Sequence, residues 1–178
     1  QQAVALRNLA GIDRARGDLG RAVARLTEGA ELQAAEGEGR SVALVWRQIR
    51  TIELERGELE RAHEAARREL TVRERLGEEA AIAATLYEAA EVARLRGEYA
   101  EAEAWLARSA EMRAHMGDLE GAGKALLAAG LVLLEAGRPR AARRKLEAAR
   151  DVIGERGPVD LQAELWRAFA ETDLAVLD

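Results

Sequence analysis

The sequence predicts an all-α fold, an α-α superhelical solenoid of about four helical hairpins plus a terminal helix. Three observations carry this. Glycine recurs every twenty residues, at Gly17, Gly37, Gly57, Gly77, Gly97, Gly117, Gly137 and Gly157, while the residues between them have diverged. A fixed period with varied filling marks a stack of repeats. At forty residues per repeat the 178-residue chain aligns with itself without an insertion, and aligned positions keep their physical character. Ala, Leu, Arg and Glu dominate, aromatic residues make up 3%, and the only prolines are Pro139 and Pro158. Such a composition suits helices and leaves little from which to build strands.

The first half of each repeat, helix A, is defined by its rows. Leu6, Trp46, Leu86, Leu126 and Trp166 are large and apolar, whereas Ala3, Ala43, Ala83, Gly123 and Ala163 are small. Leu9, Ile49, Ala89, Ala129 and Phe169 form a further row, as do Ile12, Ile52, Val92, Val132 and Thr172. Steps of three along this set trace one helical face. The second half, helix B, opens on Leu19, Leu59, Tyr99 and Pro139. It continues through Ala22, Ala62, Ala102 and Ala142 to Leu32, Val72, Met112 and Val152. Small residues in one row let two helix backbones approach, and large residues in the next fill the gap. Each repeat is therefore expected to be a helical hairpin.

The hinges follow in order. Arg16-Gly17-Asp18, Arg56-Gly57-Glu58 and Arg96-Gly97-Glu98 place a cation at one helix C-terminus, a left-handed glycine cap, and an acid at the next N-terminus. Ala136-Gly137-Arg138-Pro139 loses those charges but starts its helix with a first-turn proline, as Pro158 does for the last helix. The expected layout is a single repeat domain over 1–178, with repeats at 1–37, 38–77, 78–117 and 118–157 and a terminal helix at 158–178. That makes nine helices of about 15 to 18 residues.

A net charge of −5 argues against direct nucleic-acid binding, which needs an excess of cations. Cysteine is absent, which excludes disulfides and thiolate metal sites and fits a reducing cytoplasm. The longest apolar run, Ala125 to Leu134, is too short to cross a bilayer, which needs about 20 residues. The chain opens at Gln1 with a repeat already under way, as expected of a piece of a longer polypeptide.

Gly17-Asp18-Leu19-Gly20-Arg21-Ala22, Gly57-Glu58-Leu59-Glu60-Arg61-Ala62 and Gly97-Glu98-Tyr99-Ala100-Glu101-Ala102 resemble the central signature of tetratricopeptide repeats, which joins helix A to helix B. The large residue at Leu6, Trp46, Leu86, Leu126 and Trp166 matches the upstream element, as do the pairs Leu9-Ala10, Ala89-Ala90 and Ala129-Gly130. The resemblance covers nearly the whole chain. Its forty-residue unit departs from the family's usual length of about 34 and is similar to the sensor regions of large bacterial regulators. Asp13, Glu53, Ala93 and Leu133 replace the common helix-A tyrosine, and Arg50 stands where a small residue belongs.

In that family helix A lines the concave side. The resemblance therefore implies a groove from rows Arg7, Arg47, Tyr87, Leu127, Arg167; Asn8, Gln48, Glu88, Ala128, Ala168; Gly11, Thr51, Glu91, Leu131, Glu171; and Arg14, Leu54, Arg94, Leu134, Leu174. The expected partner is a protein or peptide segment, acidic or amphipathic, its carboxylates held by guanidinium groups. The alternative is that these arginines are simply solvated. Gly11 stands where the family's carboxylate-clamp asparagine would be, which rejects that specific mode. The apolar helix from Lys124 to Ala136 has two readings: an interface, with Leu127, Leu131 and Leu134 meeting a partner helix or second copy, or burial between its own helix B and the helix from Val159 to Leu177. Trp46 and Trp166 are expected in the core, and Arg50 at the edge of the stack beside Glu53 or Glu55.

No catalytic constellation assembles. Ser41 and Ser109 have no histidine at helical spacing, and His63 and His115 fall in different rows. Gly37-Glu38-Gly39 lacks the lysine of a phosphate loop, and Arg16-Gly17-Asp18 is a hinge. No metal or cofactor is expected. The reading is a non-catalytic protein-binding scaffold within a bacterial multidomain regulator, or else a ligand-gated sensor whose groove takes a small molecule or signalling peptide.

Overall fold

The structure, a computed structural model, describes residues 1–154 and 157–177. Among the described residues there are nine helices and no strand: α1 (Gln2–Ala15), α2 (Leu19–Ala35), α3 (Gly39–Glu55), α4 (Leu59–Leu76), α5 (Glu79–Leu95), α6 (Tyr99–His115), α7 (Leu119–Glu135), α8 (Pro139–Ile153) and α9 (Val159–Leu177). Odd-numbered helices are the A helices and even-numbered ones the B helices. Two compact bodies form, Gln1–Thr85 and Leu86–Asp178, with the boundary inside α5. In the first, α1 packs on α2, α2 on α3 and α3 on α4; in the second, α7 packs on α6, α8 and α9, and α8 on α9.

The hinges share one backbone solution. At the first, Gly17 adopts φ 81°, its N–H donates to the Arg14 carbonyl at 3.0 Å, and the Asp18 N–H donates to the Asp13 carbonyl at 2.9 Å. This pair of bonds closes the carbonyls left open at a helix end and requires a left-handed residue, which only glycine adopts freely. The same arrangement recurs at Gly37, Gly57, Gly77, Gly97, Gly117 and Gly137. Gly157 differs: the residue with positive φ there is Gly154, the cap of α8, with φ 66° and an extended ψ of 178°. A Cβ at Gly157 would collide with Ile153, so that glycine answers a close approach. The acids after the hinges are of two kinds. Asp18, Glu38, Glu58 and Glu98 make no side-chain cap bond and act through charge on the helix dipole, whereas Asp118 Oδ1 accepts from the Gly121 N–H at 2.9 Å.

Burial divides each A helix into two faces. Positions 5, 9 and 12 of a repeat pack on the preceding hairpin: Val45, Ile49 and Ile52 join a cluster with Ala10, Ala22, Leu26 and Ala30. Ala129 and Val132 join Ala90, Ala93, Ala102 and Leu106, and Leu165 and Phe169 join Leu146 and Ala149. Positions 3, 6, 10 and 13 are turned toward the repeat's own B helix. There a Cβ on Gly29 would lie 3.8 Å from Leu6 Cβ, and one on Gly130 would lie 2.6 Å from Leu146 Cδ2. The single helical face expected from the sequence is thus two adjacent faces with different neighbours.

Arg50 overturns the expectation of an edge position. It is 4% exposed, and its guanidinium lies 3.7 Å from the Glu69 carboxylate of α4. Glu69 also accepts from Arg73 Nε at 2.9 Å and from Thr85 Oγ1 at 3.1 Å. Position 29 of the neighbouring B helices is Gly29, Ser109 or Ala149, so only in this repeat is an internal anion available to a cation at position 10. Glu53 instead pairs with Arg56 at 2.7 Å, and Glu55 pairs with Arg14. Trp46 packs on the first core cluster with the Arg68 guanidinium 4.7 Å above its ring. Trp166, expected in the core, is 62% exposed. It occupies position 6 on α9, and no described helix covers that face.

Candidate functional site

The candidate groove residues fall into two sets, one in each body. In the first body Arg7 is half-buried on α1, and Asn8, Arg47, Gln48 and Thr51 are exposed on α1 and α3. The Thr51 hydroxyl donates to the Arg47 carbonyl at 3.1 Å, so it is tied to its own helix. Arg14 is spanned by an ion pair to Glu55, forty-one residues on. The expected guanidinium thus already holds a carboxylate supplied by the next A helix.

In the second body the same relationship recurs at higher definition. Arg94 on α5 makes two bonds to Glu91, at 2.6 and 2.7 Å, and two to Glu135 on α7, at 2.9 and 3.0 Å. Its hydrogen bonds to both carboxylates, Glu91 foremost, raise its pKa further above the ordinary guanidinium range. Arg94 and Glu91 are thereby committed to each other and to Glu135. Arg167 is exposed on α9.

Tyr87, Leu127 and Leu131 do come together. They line a cleft of about 230 Å³ on the A-helix side of the second body, completed by Lys124, Ala128, Asp160, Leu161 and Glu164. Leu127, Ala128, Leu131 and Leu161 make its apolar floor, and Lys124, Asp160 and Glu164 its charged rim. Lys124 pairs with Glu120 at 2.6 Å. That hydrogen bond raises its pKa, and Asp160 adds a smaller push in the same direction. The Tyr87 ring is stacked by Arg113, whose guanidinium carbon lies 5.9 Å from its centroid.

Of the two readings of the apolar helix, Leu127 fits burial. It is 3% exposed, packed with Leu146, Leu161 and Leu165, so burial against α8 and α9 accounts for the apolar character of this part of α7. Leu134 is half-buried and Leu131 is 37% exposed. Lys124, Asp160 and Glu164 were missed by the row-by-row reading. Lys124 and Glu164 share position 4 of the repeat with Val4, Leu44 and Ala84, whereas Asp160 lies outside that row. Val4 and Leu44 are exposed apolar residues in that row, one turn before positions 7, 8 and 11.

The serines and histidines considered for catalysis have structural surroundings. Ser109 is fully buried, 3.4 Å from Arg113 Nε, and His115 Nδ1 lies 2.9 Å from its own helix's Glu111 carbonyl. Among the described residues no helix is long and apolar enough to cross a membrane.

Helical hairpins with hinge-glycine caps, with α3 packed on α2, α7 on α6 and α9 on α8, define a helical-repeat solenoid protein. Residues 81–153 match the family model described as tetratricopeptide repeat. The chain is similar in structure to the TPR-like repeats of a kinesin light chain from Podosopora anserina, with a TM-score of 0.75 at 16% identity over 98% of this chain and 89% of that one. It is also similar to the apo form of RapI, at 0.75 and 13% over 92% and 46%, and to BtubC (BKLC) from P. vanneervenii, at 0.68 and 18% over 84% and 62%. This chain therefore spans less than two thirds of the latter two proteins. No curated protein matches it in sequence. The tetratricopeptide-repeat family match thus covers residues 81–153, and the likeness to solved structures carries the same fold over nearly the whole chain.

Proposed function

We propose that this chain is a non-catalytic scaffold that binds a protein or peptide segment on the A-helix side of its second body. The observation that carries this reading is the cleft over Leu127, Ala128, Leu131 and Leu161, where an apolar floor adjoins the carboxylates of Asp160 and Glu164. Such a site takes an amphipathic segment, with one apolar side chain on the floor and a Lys or Arg against the rim. Arg14 and Arg94, each paired with a glutamate of the chain itself, offer less to an acidic segment than unpaired guanidiniums would. Tyr87 supplies a rigid aromatic edge to the cleft, at little entropic cost on binding.

The small-molecule sensor reading has less support. About 230 Å³ falls below the roughly 300–1,000 Å³ of small-molecule sites. Membership of a bacterial multidomain regulator and a cytoplasmic location rest on the family resemblance and on the absence of cysteine.

The test is calorimetric titration with a panel of helical and extended peptides, graded from acidic to basic at constant apolar content. Basic amphipathic peptides should bind, and Leu131→Glu or Asp160→Lys should weaken them at least about tenfold, with Arg7→Glu/Arg47→Glu as a control in the other body. Binding that ignores Leu131→Glu and Asp160→Lys but is lost in the control would move the site to α1 and α3. Preference for acidic peptides would overturn the amphipathic reading.

A further inference from the structure

The start of α8 breaks the charge rule of the other hinges. The residue after the hinge glycine is an acid at Asp18, Glu38, Glu58, Glu78, Glu98 and Asp118, but it is Arg138 before α8, whose first turn carries Arg140 and no acid. Cations oppose the positive end of a helix dipole, so this choice costs stability where an acid would contribute it. From Arg138 to Lys145 the chain carries five cations and no carboxylate. Two of them are answered from elsewhere, Arg143 by Glu147 and Asp173, and Lys145 by Glu103 at 2.6 Å. Arg138, Arg140 and Arg144 have no ion pair among the described residues, and with Gly137, Pro139 and Ala141 they line one recess of about 360 Å³. We propose that this recess docks an acidic segment of a partner protein, whose carboxylates take the three guanidiniums.

Charge complementarity and spacing carry the assignment. In a chain of net charge −5, the charged residues of this recess are cations only. Arginine supplies all three, and its planar fork takes a carboxylate by two hydrogen bonds at once. Arg140 and Arg144 stand about 6 Å apart along the helix axis. That is close to the roughly 7 Å between alternate side chains of an extended segment. A bound acid would also restore the negative charge that this helix N-terminus lacks. The recess lies on an outward face of the hairpin. Its matching residues Gly20, Ala24, Ala100 and Ala104 are exposed although α3 packs on α2 and α7 on α6, so the exposure of Arg140 and Arg144 goes with their position in the repeat.

Fluorescence anisotropy at low salt tests the proposal with a labelled peptide of alternating Glu and Ser, beside one with Gln in place of Glu and one with a single phosphoserine and no Glu. The Glu peptide should bind, weaken with added salt, and lose at least about tenfold in affinity in Arg140→Glu/Arg144→Glu. Helicity should hold, because both positions are exposed. Arg138→Glu restores the acid of the other hinges, so it should raise the Tm of the free chain while weakening the peptide. The peptide has no apolar side chain for the floor of the A-helix cleft, and Leu131→Glu should leave its affinity unchanged, which separates this site from that one. Equal affinity for the Glu and Gln peptides overturns the proposal, as does binding that survives Arg140→Glu/Arg144→Glu or binding of the phosphoserine peptide alone. Salt-sensitive self-association lost in Glu58→Lys/Glu60→Lys would give the recess to a second copy and overturn it too.

Discussion

Arg94 of α5 and Glu135 of α7 are joined by two hydrogen bonds from one guanidinium nitrogen, and Arg14 of α1 and Glu55 of α3 form the equivalent pair eighty residues earlier. Both ion pairs are partly exposed, which limits their strength. A double-mutant cycle on Arg94→Ala and Glu135→Ala, followed by urea unfolding, should give a coupling of about 0.5–1 kcal/mol that shrinks with added salt.

The Arg50–Glu69–Arg73 cluster behaves differently because all three groups are buried. Glu69→Ala leaves two guanidiniums without their shared anion and should cost about 3–5 kcal/mol. Arg50→Ala restores the small residue of the neighbouring repeats and should cost less, since Arg73 and Thr85 still satisfy one Glu69 oxygen. The double variant Arg50→Ala/Glu69→Leu should recover only part of the loss in the same unfolding measurement, since Arg73 stays buried with Glu78 beside it at 3.6 Å.

Two glycines inside A helices should respond oppositely to alanine. A Cβ at Gly130 meets Leu146 at 2.6 Å, so Gly130→Ala should destabilise by about 1–3 kcal/mol through overpacking. At Gly11 a Cβ meets nothing within 4 Å, and Gly11→Ala should stabilise by roughly 0.5–1 kcal/mol by removing the glycine's backbone entropy. Thermal melts of the two variants side by side check both.

Asp118 links stability to pH. The Gly121 N–H, with help from Arg113, holds its carboxyl below the ordinary value of 3.8. The folded state therefore ionises at lower pH than the unfolded state. Its contribution is complete above pH 3.8 and disappears as pH falls through the lowered value. Asp118→Asn keeps a capping oxygen but removes the titration, so the acid limb of its stability curve should be shallower than that of the parent.

Helix number, hinge positions and hairpin pairing were legible because each is written locally. Seven hinge glycines meet a left-handed backbone requirement that any neighbouring fold would impose. The eighth, Gly157, was misread because its constraint comes from Ile153, reached only when α8 has formed. Rows 3 and 6 were legible as apolar, but nothing local says that rows 9 and 12 meet a different neighbour. Tyr87 and Leu131 were found through their row, whereas Asp160 and Glu164 enter the cleft only because α9 folds beside α7.

The sequence by itself determined an all-helical chain of forty-residue hairpins, since periodicity, capping glycines and helix-forming composition act over one or two turns. Only the tertiary structure decided where the charges went. Arg50 was drawn inside by Glu69, and Arg94 was spent on Glu135. Each outcome depends on the residue that packing brings from another helix, at a distance in sequence over which local propensity carries no information.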